Sequence, residues 1–394
     1  MRGRIYTGAI ALSGIFVALS GASLLGGSLP AGATGSGTGA ATGSPLTFGV
    51  LATNTGSSAA PEDGQALEAY VANWNAHGGY KGHRIVLNVD DTAGNLTTTT
   101  NDARALVTQN NVLAFINNYN LLDCTVNGSY YASVPVADIG VEATTSCYNS
   151  TVDFPTSNPG GTIGLSVFPK WASTVGSDHI GILAPSVAGV STLISALGTY
   201  VKKVTHHTLV QASVPLVPTA AQLDAAFVQL KAQKVDAVIM IVLAQTGASL
   251  AISEANTQGF GPDNGIRWMF GGASISPVGI TGAYDELFTY PWSSSIPQVK
   301  QARKLLEAKG ITEFDAASAI GYQNGALLQQ TLDAVKGPVT RASILTALHG
   351  LKSVPLALTP LRIDLANPSS DLEGGVIEVS KNGKFVPASS YLST

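Results

Sequence analysis

Charge is what this chain of 394 residues has least of. Asp, Glu, Lys and Arg together make up 12% of it, the formal net charge is −4, and Lys and Arg form no cluster. A surface that neutralises phosphates needs such a cluster, so nucleic acid is excluded as a partner. Histidine is scarce too, six in all, and its one adjacent pair, His206-His207, has no carboxylate or cysteine at ligand spacing. A polar loop entering a strand at Leu209 accounts for that pair better than zinc does, and no cofactor is implied. No Gly-x-Ser-x-Gly elbow occurs. Ser177-Asp178-His179 holds the residue types of a hydrolytic triad, but sequence neighbours cannot face one another as a triad requires, so a turn before a strand is expected. Gly259-Phe260-Gly261-Pro262 follows a helix, not a strand, and is no nucleotide fingerprint. A secreted hydrolase stays as a rival reading without a motif behind it.

Cysteine is limited to Cys124 and Cys147. The N-terminus reads as an export signal over residues 1–33: Arg2 and Arg4, an apolar run over 10–25, and Ala31-Gly32-Ala33 as a small-x-small cleavage site. An uncleaved anchor over the uncharged residues 5–29 is the competing reading. No cysteine stands near the cleavage site, so a lipid anchor is not indicated. Residues 34–45, rich in Gly, Ser, Thr and Ala, read as a flexible leader. An exported chain, periplasmic or at the cell surface, meets an oxidising compartment, where an even pair of cysteines favours a disulfide over two free buried thiols. Cys124 and Cys147 follow successive predicted strands (112–116 and 136–139), whose loops would meet at one sheet edge.

The most informative stretch is 48–91: a strand from Phe48, a polar loop over 53–58, a helix showing Leu67, Tyr70, Val71 and Trp74 at i, i+3, i+4, i+7, a Gly78-Gly79 stop, and a second strand from Arg84. That is a βαβ unit with parallel strands. Ligands in such sheets sit beyond the carboxyl ends of the strands, which makes the loop holding Thr55 one wall of a candidate site. Asp90-Asp91 at the second strand's end reads as a surface cap on the helix that follows.

The turn Asn75-Ala76-His77-Gly78-Gly79-Tyr80-Lys81-Gly82-His83-Arg84-Ile85 resembles that of extracytoplasmic solute-binding proteins related to the leucine/isoleucine/valine-binding protein, the type I periplasmic binding proteins of ABC importers. Gly49-Val50-Leu51 through Thr55-Gly56, Val134-Pro135-Val136, Asp236-Ala237-Val238 and Gly164 to Pro169 are similar to further elements of that family. The resemblance implies an α/β fold of two Rossmann-like lobes with parallel sheets, joined by a hinge that the chain crosses more than once. The boundaries expected are 46–166 with 291–352 for the first lobe and 167–290 with 353–394 for the second. The return crossover is expected in a strand over 287–290, and Lys381-Asn382-Gly383-Lys384 carries the Asn-Gly signal of a closing hairpin.

Function follows from the same resemblance: capture of a small-molecule ligand by a monomer, without bond chemistry, and delivery to an ABC permease. A ligand-sensing module of the same fold feeding a receptor is the alternative. In the family's amino-acid binders, hydroxyl and backbone groups after the third and fourth strands hold the α-carboxylate and α-ammonium, and a tyrosine and an acidic residue complete the clamp. The matching positions here are Asn118, Tyr119 and Asn120, then Glu142 or Thr144, then Gln245 and Thr246, then Ser274 where the acidic residue is missing, and Tyr322. A buried ammonium without a carboxylate is costly. Unless Glu142 substitutes, these amides, hydroxyls and tyrosines imply a neutral or weakly charged polar organic ligand, amino-acid-like or amide-like.

Overall fold

The computed structural model describes residues 40–392 other than 57–58, 119–122, 141–146, 148–149, 157–164, 187–189, 216, 242–244, 272–278, 313 and 367–373, and leaves out the side chains of Asn117, Asn118, Thr192, Gln245 and Thr246. The expected signal and most of the leader lie outside the described residues. No helix among the described residues is long and apolar enough to cross a membrane.

The βαβ unit forms as read. Strand β1 (Gly43–Ala52) buries its second half, and helix α1 (Pro61–Ala76) turns Leu67, Val71 and Trp74 into the core. Pro61 at the first helical position, with Glu62 and Asp63 behind it, suits a helix N-terminus. At the other end Gly78 and Gly79 take φ of 100° and 60°, and the Gly79 N–H closes the helix on the Trp74 carbonyl at 3.0 Å. A Cβ on Gly79 would stand 2.2 Å from the His83 carbonyl oxygen, so only glycine fits. The Asn75 side chain then reaches β2 (His83–Asp91), donating to the Ile85 carbonyl and accepting its N–H, both at 2.8 Å.

Helix α2 (Leu96–Thr108), strand β3 (Ala114–Asn118), helix α3 (Asp123–Ser133) and strands β4 (Ala137–Gly140) and β5 (Asp153–Pro155) complete an all-parallel sheet of order β2-β1-β3-β4-β5. The chain then builds a second sheet through α4 (Val167–Thr174), β6 (Ile180–Pro185), α5 (Val190–Thr205), β7 (Val210–Val214), α6 (Ala220–Ala232), β8 (Ala237–Ile241), α7 (Gln245–Thr257), β9 (Arg267–Gly271) and β10 (Ala283–Leu287). It returns to the first lobe with α8 (Pro297–Glu307), α9 (Ala316–Ala334), α10 (Arg341–Gly350) and the short pair β11 (Val354–Pro355) and β12 (Arg362–Ile363). It finishes in the second lobe with β13 (Val376–Lys381) and β14 (Lys384–Pro387), giving the order β14-β13-β10-β9-β8-β6-β7. Strands β6 to β10 run parallel, while β13 and β14 are antiparallel additions joined by the Asn382-Gly383 turn, both residues at positive φ. The lobes are thus connected three times.

Helix α9 lies against α1 because two glycines allow it. A Cβ on Gly321 would stand 1.9 Å from the Asp63 carbonyl oxygen, and one on Gly325 would press into the Tyr70 ring at 2.8 Å.

Three expectations need correction. Residues 354–365 pack with the first lobe, not the second: Val354, Leu356, Ile363 and Leu365 share a core with Leu327, Leu328 and Leu332 of α9. The return strand spans Ala283–Leu287, earlier than 287–290, because Asp285 and Glu286 sit inside it and hide its β character. Asp91 does not cap α2. Asn95 does, accepting from the N–H groups of Thr97 and Thr98 at 2.9 and 3.0 Å.

Candidate functional site

The loop after β1 is held by one carboxylate. Asp91, the last residue of β2, lies beside Ala52 in register, and its Oδ1 accepts the N–H groups of Asn54, Thr55 and Ala93 at 2.9, 3.3 and 3.1 Å. The Thr55 hydroxyl donates to Oδ2 at 2.7 Å. Burial works against the ionised form, but the Thr55 hydroxyl and these N–H groups outweigh it, so the Asp91 carboxyl is held below its ordinary range. Gly56 follows at φ 91°, where a Cβ would meet the Ala93 carbonyl oxygen at 2.5 Å. Thr55 therefore stands at the carboxyl end of the sheet with its hydroxyl proton committed to Asp91. Sequence reading placed Asp91 on the wrong partner; an acidic residue ending the strand beside a Gly-containing loop was the available signal.

Asn118 ends β3, opposite Gly140 of β4. Tyr119, Asn120, Glu142, Thr144 and Ser274 lie outside the described residues. Gln245 and Thr246 form the first turn of α7, not a free loop, because the helix begins as soon as the chain leaves the β8 end. Tyr322 is only 8% exposed and sits within the α1–α8–α9 core, edge-on to Tyr70 with ring centroids 5.2 Å apart. Burial pushes its phenol up to about 12.

Cys124 and Cys147 form a disulfide with their Cα atoms 6.0 Å apart, joining the start of α3 to the segment after β4. These are the two stretches in which the resemblance places Asn118 to Asn120 and Glu142 to Thr144. Closing a 23-residue separation stabilises by roughly 3 kcal/mol in the chain-entropy account. Beneath it, Asp123 accepts from Asn127 Nδ2 at 2.6 Å and from the Tyr131 hydroxyl at 2.9 Å. Asp153 stands beside Asp138 in the β4–β5 register. Burial raises the Asp153 carboxyl to about 6; Ser150 opposes that rise and Asp123 adds to it.

Where the lobes join, Glu286 of β10 accepts the N–H of Phe168 at 3.0 Å, at the start of α4. The first N–H groups of a helix have no partner within it, so this carboxylate ties the first crossing to the second. Burial raises Glu286 well above the carboxylate range; the Phe168 and Val167 N–H groups offset part of this, and Asp285 adds to it. On the first-lobe side the Trp292 indole donates to the Asp315 carbonyl at 2.7 Å and the Tyr290 N–H to the Leu358 carbonyl at 2.6 Å. Sequence reading reached both crossings, at Phe168 and at Tyr290, but missed Glu286 between them. An acidic pair, Asp285-Glu286, in a stretch without any basic residue was the sign that pointed to it.

Residues 45–382 match the sequence profile of a family described as periplasmic binding protein. The chain belongs to that family. Solved structures agree in fold across nearly its whole length. A fatty acid ABC transporter substrate-binding protein from Thermomonospora curvata is 16% identical with a TM-score of 0.76, over 91% of this chain and 95% of that one. A solute-binding protein from R. palustris in complex with 4-hydroxybenzoate is 15% identical with a TM-score of 0.75, over 89% and 97%. An ABC transporter substrate-binding protein from Desulfitobacterium hafniense in complex with Leu is 15% identical with a TM-score of 0.73, over 87% and 99%. At these identities the likeness carries the fold alone. No match is found among curated proteins. In this periplasmic binding protein the candidate residues other than Tyr322 lie at or, in sequence, after the carboxyl ends of β1, β3 and β4 in one lobe and of β8 and β9 in the other.

Proposed function

We propose that this periplasmic binding protein is exported, captures a small polar organic solute between its lobes and hands it to an ABC permease without chemical change. The observation that supports this best is the fold: two parallel-sheet lobes, three connections, and loops on the strand ends of both. A solute touching both lobes favours the closed form, since only that form makes all of its contacts.

Loop residues decide the ligand's chemistry, because proteins of this fold are described with leucine, 4-hydroxybenzoate and fatty acid. In this chain the segment around Ser274 has no carboxylate, and Asn118, Asn120, Gln245, Thr246 and Ser274 offer amides and hydroxyls. That set suits an amide-like or amino-acid-like solute, with Glu142 as the one acidic group able to meet an ammonium.

Thermal melting of the mature protein against leucine, leucinamide, 4-hydroxybenzoate, decanoate and short aliphatic amides tests the reading. A bound member raises the melting point by mass action, about 2.7 kcal/mol at a hundredfold excess over Kd, and Gln245→Ala weakens the rise. No shift with any member, together with no small molecule carried through purification by mass spectrometry, overturns it.

A further inference from the structure

Between Arg267 and Lys300 the sequence contains no Lys, Arg or His, and none occurs between Arg362 and Lys381. These two stretches supply β10 and all of β13 except its exposed last residue, Lys381, which has the opposite parity to Glu378 along the strand. The strands pair antiparallel inside the second sheet with Asp285 directly opposite Glu378. Directly opposed side chains share a face, with Cβ atoms about 5 Å apart. Beyond Asp285 in that row stands Phe270 of β9, and beyond Glu378 stands Pro387 of β14. Two residues up and down the strands on the same face are Ala283, Leu287, Val376 and Ser380, all buried. Glu378 itself is 4% exposed, and Asp285 is half-buried as a residue with its carboxyl deep in the protein.

The other charged groups acting on the pair are also acidic. Asp315, at the start of α9 in the first lobe, and Glu286, on the opposite face against α4, both carry carboxyls. Arg267 begins β9 and donates to Ser177 and to the Val175 carbonyl, at the far end of that strand. Neither carboxyl of the pair has an ion-pair partner among the described residues. In sequence, the segments 242–247 after β8 and 272–278 after β9 contain no basic residue, and 367–373 before β13 holds only Asp371 and Glu373 as charged residues.

Two desolvated carboxyls side by side without a cation cannot both ionise cheaply. We propose that Asp285 and Glu378 share a proton in the native protein, and that this proton fastens the strand pair through which two of the three lobe connections pass. It acts as an acid-tightened catch at the base of the hinge. β10 leads directly into the return connection and β13 follows the last one, so loosening this pairing loosens the hinge's second-lobe anchorage. Burial raises both groups and the Glu378 charge raises Asp285 further, against the Glu286 N–H that Asp285 accepts at 2.9 Å, and Glu378 is pushed up to about 7. The catch is therefore complete below the ordinary carboxylate range and is lost as pH rises through about 7.

Calorimetric unfolding at pH 6, in buffers of different ionisation enthalpy, counts the protons exchanged. The intact protein should release about one proton more on unfolding than Glu378→Gln does. Asp285→Asn serves as a second variant and should show the same deficit. Amide hydrogen exchange read on residues 376–380 locates the effect. Corrected for intrinsic rates, those amides should exchange faster at pH 8 than at pH 5.5 in the intact protein and show no such difference in either variant. Equal proton release by the intact protein and both variants overturns the shared proton. Exchange in β13 that ignores pH in the intact protein overturns the catch.

Discussion

Replacing Asn75 with alanine tests how the first lobe closes its exposed edge. β2 is the outermost strand of the five-stranded sheet, and an edge strand leaves a row of backbone donors and acceptors without strand partners. The Asn75 amide covers two of them at once, taking the Ile85 carbonyl and N–H at 2.8 Å each. Ile85 is 2% exposed, so water does not readily replace either bond. Each lost hydrogen bond costs about 1 to 1.5 kcal/mol net, giving about 2 to 3 kcal/mol for Asn75→Ala. With a urea slope of about 3 kcal/mol/M, the unfolding midpoint followed by far-UV circular dichroism should fall by nearly 1 M. Asn75→Asp separates the two bonds, since a carboxylate still accepts from the Ile85 N–H but repels its carbonyl. It should also lose stability, and recover part of it in acid, where the protonated group donates again. An alanine variant with an unchanged midpoint would show that Ile85 finds other partners and that the amide closes nothing.

Tyr322→Ala should lower the melting point of the empty protein and cost about 3 kcal/mol or more, as loss of a buried aromatic does, whereas Tyr322→Phe should melt near the native value. Equal melting of the alanine variant would show that the ring is not needed for core packing and leave Tyr322 as a candidate binding residue alone. Reduction of Cys124–Cys147 should destabilise by roughly 3 kcal/mol, read as a drop in urea midpoint with dithiothreitol that the Cys124→Ser/Cys147→Ser double variant does not show. The Asp91 carboxyl lies below its ordinary range in the folded protein, so what it contributes is present above the unfolded value and lost as pH falls through the folded one. Asp91→Ala should therefore melt lower at pH 7 and lose less on acidification to pH 3, and parallel melting curves against pH would refute the role.

Hydrophobic periodicity and glycine punctuation made most of the fold legible. Leu67, Val71 and Trp74 repeat at the helical period, Gly78-Gly79 stop the helix, and the burial observed follows that pattern. Periodicity failed where polar groups go inside. β10 contains Asp285 and Glu286, so it does not show the alternation that marks a core strand, whereas α9 was legible as a helix over 316–336 although it buries Ser318, Gln323 and Asn324. β11 and β12 span two residues each, too short for any pattern, and that cost the assignment of residues 354–365. The candidate site was legible only as addresses. Resemblance indicates which loop a residue occupies, but which way it faces depends on packing from other elements. Tyr322 shows the difference, since Tyr70 and its neighbours enclose its ring.

Scarcity of charge links the loop, the disulfide region and the hinge. No Lys or Arg forms an ion pair with the carboxyls of the loop, the disulfide region or the hinge among the described residues, so these acids are held by other means. Asp91 and Glu286 use backbone N–H groups, Asp123 uses a tyrosine hydroxyl and an asparagine amide, and Asp285, which accepts one backbone N–H, shares a proton with Glu378. The first means favours the ionised form wherever its hydrogen bonds outweigh burial, as at Asp91, and the last favours the neutral form. Their contributions to stability run in opposite directions with pH: the Asp91 share is lost on acidification, and the Glu378 share is lost as pH rises through about 7. A protein held this way is firmest in mildly acidic solution. Adding a single lysine opposite Asp285, as in Glu378→Lys, should move that optimum upward by supplying the cation that the Asp285 position lacks.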